Sequence, residues 1–309
     1  MKKIITICGP TGIGKTGFAI SLAQKFNGEI IGADSMQIYK YMDIGTAKPD
    51  AKERALAPHH LVDFLDPASD FDAGKFAAAA DQAIAEITAR EKLPIVAGGT
   101  GFYIRALLYG LFRGTPACET TLHRLARELE EKGSQHLHDR LAQCDPDAAQ
   151  RIHPNDSFRL VRALEVYETT GEPISKRQQD HNFGENRYQS LTFGLTMDRV
   201  RLYDRINQRV DIMVDQGLLN EVQTLVDKGY PLDLKSMQSI GYRHMGMFMK
   251  GEVDFDEALR LLKRDTRRYA KRQFTWFNKE PGLVWVEPDK QDEAFELVEG
   301  FLGESLETI

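Results

Sequence analysis

The sequence predicts an α/β protein, a parallel sheet flanked by helices, with an all-helical subdomain inserted in it. Three observations carry this. Strand and helix patterns alternate through the first hundred residues, a glycine-rich phosphate motif follows the first strand, and residues 115–187 read as helices without a convincing strand. The layout expected is a core from 1–114 and 188–309, C-terminal helices included, with the insertion at 115–187.

The elements follow in order. Lys3–Cys8 is a short apolar run that fits a buried strand, and Thr16–Phe26 carries Phe18, Ala19, Leu22, Ala23 and Phe26 at one-faced helical spacing. Glu29–Ala33 predicts a second strand closing at Asp34, Gly74–Arg90 an alanine-rich helix, and Leu93–Ala97 a third buried strand stopped by Gly98 and Gly99. Helical patterns then run over Thr121–Lys132, Gln135–Gln143 and Asp156–Thr170, joined by Pro, Gly and Asn turns. Gln189–Leu195 alternates as a strand. Helices are expected at Arg199–Gln216, Leu218–Lys228 and Phe255–Phe277, then a strand at Leu283–Val286 and a last helix. Parallel sheets built this way hold ligands beyond the carboxyl ends of their strands.

Composition narrows the function classes. With 42% hydrophobic and 28% charged residues in 309, the chain has the profile of an ordinary globular protein rather than a disordered one. No apolar run approaches the roughly 20 residues that span a bilayer, and Ile4–Cys8 is too short for a signal-peptide core. Cys8, Cys118 and Cys144 are scattered, which supports neither a disulfide framework nor a zinc site and favours a reducing cytoplasm. The net charge is −6, yet seven basic residues against one acid, Asp265, lie between Arg260 and Arg272. A local basic stripe on an acidic protein fits a specific polyanion site, and a solvated helix face explains it as well.

The strongest motif is Gly9-Pro10-Thr11-Gly12-Ile13-Gly14-Lys15-Thr16, a full G-x-x-x-x-G-K-[ST] between a strand and an amphipathic helix. Backbone amides at the helix N-terminus cradle a di- or triphosphate, as in the nucleotide- and ATP-binding members of the P-loop NTPase-like folds. Lys15 adds a point charge and the Thr16 hydroxyl can ligate Mg²⁺. The strand before Gly98 ends without a carboxylate, so the usual γ-phosphate apparatus is missing there. Asp34 closes the second strand instead, where a substrate-facing base or a turn-capping residue would both fit. Asp34, Ser35 and Gln37 together suit an amine- or amide-bearing ligand.

At this point a family resemblance enters. The loop at Gly9–Thr16, Asp34-Ser-Met-Gln-Ile-Tyr39, Gly45-Thr-Ala-Lys-Pro49, His59-His-Leu-Val-Asp63, Gly98-Gly-Thr-Gly-Phe-Tyr103, Arg162-Ala-Leu-Glu-Val166, Ser239-Ile-Gly-Tyr-Arg243 and Lys271-Arg-Gln-Phe-Thr-Trp276 occur in this order. The ordered set resembles the bacterial tRNA dimethylallyltransferases, the isopentenyl-tRNA transferase family. The resemblance implies transfer of a dimethylallyl group from its diphosphate to N6 of adenosine 37 in tRNA, releasing diphosphate. Under it, the loop from Gly9 to Thr16 holds the diphosphate, Mg²⁺ sits on Thr16, Asp34 is the general base and Arg209 contacts the diphosphate; for Arg209 a helix-surface charge is the alternative.

The same resemblance implies tRNA contacts. Asp34, Ser35, Met36 and Gln37 match the family's adenine-binding stretch and Thr100 its channel. Phe158, Arg159 and Arg162 align with a tRNA-contacting stretch, although Phe158 replaces the usual Gln. Ser239, Gly241, Tyr242 and Arg243 align with another, and Arg268, Lys271, Arg272, Gln273 and Trp276 with a third that the basic stripe leads into. The insertion resembles a mobile subdomain that closes on the anticodon arm. The partners implied are tRNA and dimethylallyl diphosphate, with no membrane and a monomeric enzyme. His136 and His138 read as solvated, and the residues suggest no role for His59 and His60. Two other readings remain open on the residues alone: a small-molecule P-loop kinase and a nucleotide-gated RNA-binding module.

Overall fold

Six parallel strands form one sheet in the computed structural model, which describes residues 1–111, 118–181 and 186–303. The strands are β1 (Lys3–Cys8), β2 (Gly28–Gly32), β3 (His59–His60), β4 (Leu93–Gly98), β5 (Gln189–Leu195) and β6 (Leu283–Val286), in the spatial order β3-β2-β4-β1-β5-β6. β1 lies between β4 and β5, pairing Ile5 with Ile95 and Cys8 with both Gly98 and Gly194. The chain builds one side of β1 first, through β2, β3 and β4, and then crosses to the other side with β5 and β6. That reversal opens a crevice at the carboxyl end of β1, where the glycine-rich loop begins.

The central strands are buried on both faces, as their near-continuous apolar runs require. Ile5 and Ile7 pack with Phe18 and Leu22 of the helix Lys15–Lys25, with Phe193, and with Leu202 and Ile206 of the helix Arg199–Asp215. A second cluster joins Ile38 and Met42 to Val222, Tyr242, Met245 and Leu262. The helix Phe255–Phe277 sends Ala258, Leu262, Thr266, Ala270, Gln273 and Phe277 inward, a row at three- and four-residue spacing that leaves its basic residues on the other faces.

By backbone contacts the chain divides into 1–108 with 187–309, and 109–186. The expected boundary at 114/115 falls in 112–117, outside the described residues. The unit at 109–186 is helical, with its own core of Leu125, Leu137, Leu141, Leu160 and Leu164. Its helix Glu119–Cys144 is broken at Gly133, where φ is 82°, so the two segments expected from sequence form a kinked pair. The short strand β3 and the helices Ala51–Leu56, Gly101–Tyr109 and Tyr242–Met249 are additions to the sequence reading.

Candidate active site

The loop Gly9–Thr16 turns from β1 into the helix Lys15–Lys25. Lys15 folds back over it and donates to the carbonyls of Gly9 at 3.1 Å and Pro10 at 2.9 Å. Burial lowers the Lys15 ammonium to about 8, with the Asp34 carboxylate pulling the other way. Arg209, from the helix Arg199–Asp215, donates to the Thr11 hydroxyl and is likewise lowered by burial, against the same Asp34 charge. The guanidinium lines the cavity, so the helix-surface alternative does not describe it. Two cations, Lys15 and Arg209, share the cavity with one carboxylate, Asp34, which is the electrostatics of an anion receptor.

Asp34 follows β2. Its Oδ1 accepts from the Met36 amide at 2.9 Å and the Gln37 amide at 3.3 Å, so the turn-capping function weighed from sequence is real. Oδ2 takes no hydrogen bond among the described residues and stays available as an acceptor. The Ser35 amide donates to the Thr100 hydroxyl at 3.0 Å, while Thr100 N–H donates to the Ala33 carbonyl at 3.1 Å. These bonds fasten the ends of β2 and β4 side by side. A Cβ on Gly98 would come within 2.0 Å of the Ala33 carbonyl oxygen, so only glycine admits this approach. Thr11, Lys15, Thr16, Asp34, Gln37 and Arg209 line one cavity.

Thr16 sits in the first helical turn with its hydroxyl unbonded among the described residues, and no cluster of three or more His, Cys, Asp or Glu residues there could hold a metal alone. This donor set fits Mg²⁺, which takes few protein ligands and completes its shell with water and phosphate oxygens.

The expected tRNA-contacting residues divide by burial. Met36, Ser35 and Gln37 belong to the cavity's loop. Gly241 caps the helix Tyr242–Met249, Ser239 donates to the Ser236 carbonyl at 2.7 Å, and Arg243 pairs with Asp265 at 2.6 Å. Tyr242 is fully buried, its hydroxyl donating to Glu221 at 2.6 Å, and burial together with that carboxylate raises its ionisation well above the ordinary range. Gln273 is buried as well, accepting from Thr11 N–H at 2.8 Å and donating to the Gly99 carbonyl at 2.9 Å. Both side chains are buried beneath the stretches that the resemblance aligns with tRNA contacts, and both tie those stretches to neighbouring segments. Trp276 stacks edge-on with Phe102 and lies 4.8 Å under the Arg105 guanidinium.

The stripe is not uniform. Arg260 pairs with Glu257, Lys263 with Asp211, and Arg267 bonds Asn207. Asp265 gathers Arg264 at 2.8 Å, His244 at 3.3 Å and Arg243, which hold its carboxyl far below the usual range despite partial burial. Arg268 stands 3.7 Å from Asp265 and is mostly exposed, while Lys271 and Arg272 have no carboxylate within 4 Å among the described residues. The charge without a carboxylate partner among the described residues therefore lies at the C-terminal end, at Lys271 and Arg272, with Arg268 beside them sharing Asp265. In the unit 109–186, Phe158 is 82% exposed, Arg159 pairs with Asp156 at 3.0 Å and Arg162 pairs with Glu165.

Three residues were missed from sequence. Glu221 accepts from the amides of Asp43, Ile44 and Gly45. Lys48 is a buried cation bonded to the Tyr39 carbonyl at 2.7 Å and to Asp43 and Asp63. Glu29 pairs with His60 at 2.6 Å, Arg90 at 2.7 Å and Lys92 at 3.1 Å; burial alone would raise its carboxyl, and these partners bring it to about 2. His60 thus gains a structural partner, and His59 lines the cavity, burial lowering its ring below the ordinary imidazole range.

Sheet, loop and cavity define a P-loop α/β protein built to hold a phosphorylated ligand beside a carboxylate. A family model described as IPP transferase matches residues 37–280, and one described as isopentenyl transferase matches residues 2–66. The chain belongs to the IPP transferase family. The tRNA dimethylallyltransferase of Desulfosudis oleivorans is 52% identical over 296 residues, covering 96% of this chain and 93% of that protein. The crystal structure of the full-length tRNA isopentenylpyrophosphate transferase from Bacillus halodurans matches with a TM-score of 0.74 at 41% identity, covering 98% of each chain. A eukaryotic dimethylallyltransferase acting on tRNA matches at 0.79 with 31% identity, covering 98% of this chain and 80% of that one.

Proposed function

We propose that this chain transfers a dimethylallyl group from dimethylallyl diphosphate to N6 of adenosine 37 in tRNA and releases diphosphate. The observation that carries the reading is the shared cavity of Lys15, Thr16, Arg209 and Asp34, a phosphate receptor beside a carboxylate. The loop amides, Lys15 and Arg209 hold the donor's diphosphate. Mg²⁺ would be held by Thr16 with the diphosphate oxygens, where it neutralises charge on the leaving group.

An adenine amine is a weak nucleophile because its lone pair is delocalised into the ring. Asp34 takes its proton as the C–N bond forms and the C–O bond to diphosphate breaks, worth about 10²–10⁴ in rate. The base must leave its stack to reach the cavity. Arg268, Lys271 and Arg272 neutralise tRNA phosphates, Phe158, Arg159 and Arg162 of the helical unit meet the anticodon arm, and the enzyme works as a cytoplasmic monomer. No helix among the described residues is long and apolar enough to cross a membrane.

Unmodified tRNA incubated with labelled dimethylallyl diphosphate, or with labelled ATP, tests the reading. Label from the prenyl donor should enter tRNA at adenosine 37. Phosphoryl transfer from ATP without prenylation would replace this reading with a kinase.

A further inference from the structure

Gln37 lines the cavity with its amide fully committed on one side. Its Nε2 donates both hydrogens, to the carbonyls of Thr46 at 3.1 Å and Ala47 at 2.9 Å. Reversing the amide would set its oxygen against two carbonyl oxygens, so the network fixes the orientation. What remains to a ligand is Oε1, which can only accept.

The two carbonyls belong to a loop with one anchor. Glu221, in the first turn of the helix Leu218–Asp227, accepts from Asp43 N–H at 3.0 Å and Ile44 N–H at 2.8 Å on Oε2. Its Oε1 accepts from Gly45 N–H at 3.0 Å and the Tyr242 hydroxyl at 2.6 Å. All four acceptor positions of the carboxylate are used. The Tyr242 ring closes the loop from the far side, and a Cβ on Gly45 would meet it at 2.4 Å. Loop 43–47 therefore has little freedom to turn its carbonyls away from Gln37.

We infer that Glu221 is a positioning residue which, through loop 43–47, locks Gln37 as a hydrogen-bond acceptor and so makes the site select a base carrying an exocyclic amine over one carrying a 6-keto oxygen. The inference rests on the reading that the cavity takes a tRNA adenine. The amine has two hydrogens: Gln37 Oε1 accepts one, and the other leaves to Asp34 as the C–N bond forms. A keto oxygen facing Oε1 pairs with nothing and repels it.

The test compares tRNA transcripts with adenosine or guanosine at position 37, for wild type and Glu221→Gln. Wild type should bind the adenosine form tighter by about tenfold or more. Glu221→Gln keeps the size but gives up two acceptor positions, and the preference should fall to within about threefold of none. Thermal protection by dimethylallyl diphosphate should stay as in wild type, which a general loosening of the fold would not allow. A variant that keeps the full preference overturns the inference. Should Glu221→Gln fail to fold, Tyr242→Phe removes one of the four bonds and should lower the same ratio by about threefold; an unchanged ratio overturns the inference equally. Wild type that transfers no prenyl group fails at the earlier step, and takes away the reading beneath the inference instead.

Discussion

Gln273 accepts a hydrogen bond from Thr11 N–H at 2.8 Å, which joins the helix bearing the basic stripe directly to the phosphate loop. The other end of the same amide holds the Gly99 carbonyl, so one side chain fixes the spacing between β1's loop and the end of β4. Replacing it with Leu keeps the volume and strands a donor and an acceptor. We expect a loss of about 1–3 kcal/mol in stability. Protection by dimethylallyl diphosphate should weaken too, because the loop loses its tether. Thermal unfolding of Gln273→Leu with and without the donor checks both, and unaltered donor protection would uncouple this helix from the cradle.

Asp34→Asn preserves the cap, since the amide oxygen still accepts from Met36 and Gln37. It cannot take a proton, and single-turnover transfer should fall about 10²-fold or more with tRNA affinity changed much less. Rate and affinity measured on one preparation decide it.

The pH dependence of donor binding has a definite sign. Lys15 sits near 8 in the folded protein, so raising the pH through about 8 removes a cation from the phosphate receptor. Affinity for dimethylallyl diphosphate, followed by thermal protection from pH 7 to 9.5, should decline across that window. Stability of the free protein moves the opposite way for this group. Between about 8 and the ordinary 10.5 the unfolded chain binds the extra proton, so rising pH favours the fold. A Lys15→Ala variant should lose the decline along with most of the binding.

Within the stripe, neighbouring arginines should behave differently. Arg268→Gln with Lys271→Gln removes one exposed charge loosely shared with Asp265 and one with no carboxylate partner among the described residues, and should flatten the slope of log affinity for tRNA against log salt by about one to two units. Arg264→Gln, whose guanidinium is spent on Asp265, should leave that slope nearly where it was. Salt titrations of the two variants beside wild type separate phosphate contacts from internal pairs.

Periodicity and punctuation made most of this fold legible. β1, β5 and β6 and the helix Phe255–Phe277 carry the bounds read from sequence, because apolar spacing and the glycine or polar stops beside them agree. β3 was not legible, since two residues, His59 and His60, have no period. The phosphate loop and Asp34 announce themselves by spacing. Glu221 does not: an acid in the first turn of a helix looks the same whether water or three backbone amides surround it. Motif alignment alone leaves the burial of Gln273 and Tyr242 unread, and the inward row of the long helix is what places Gln273 inside.

The strand order also dictates a sequence of events at the ribosome. β1 can pair with β4 once the first hundred residues have emerged, but its other neighbour, β5, begins at Gln189. Until then the nascent chain presents an unpaired edge at a strand that is buried in the finished fold while the helical unit at 109–186 is being made, the kind of edge that recruits other chains. A helical unit with a core of its own places some eighty residues between the two halves of the sheet. Closure of the sheet must wait for them, and truncation anywhere before 189 leaves the phosphate loop on an open border strand.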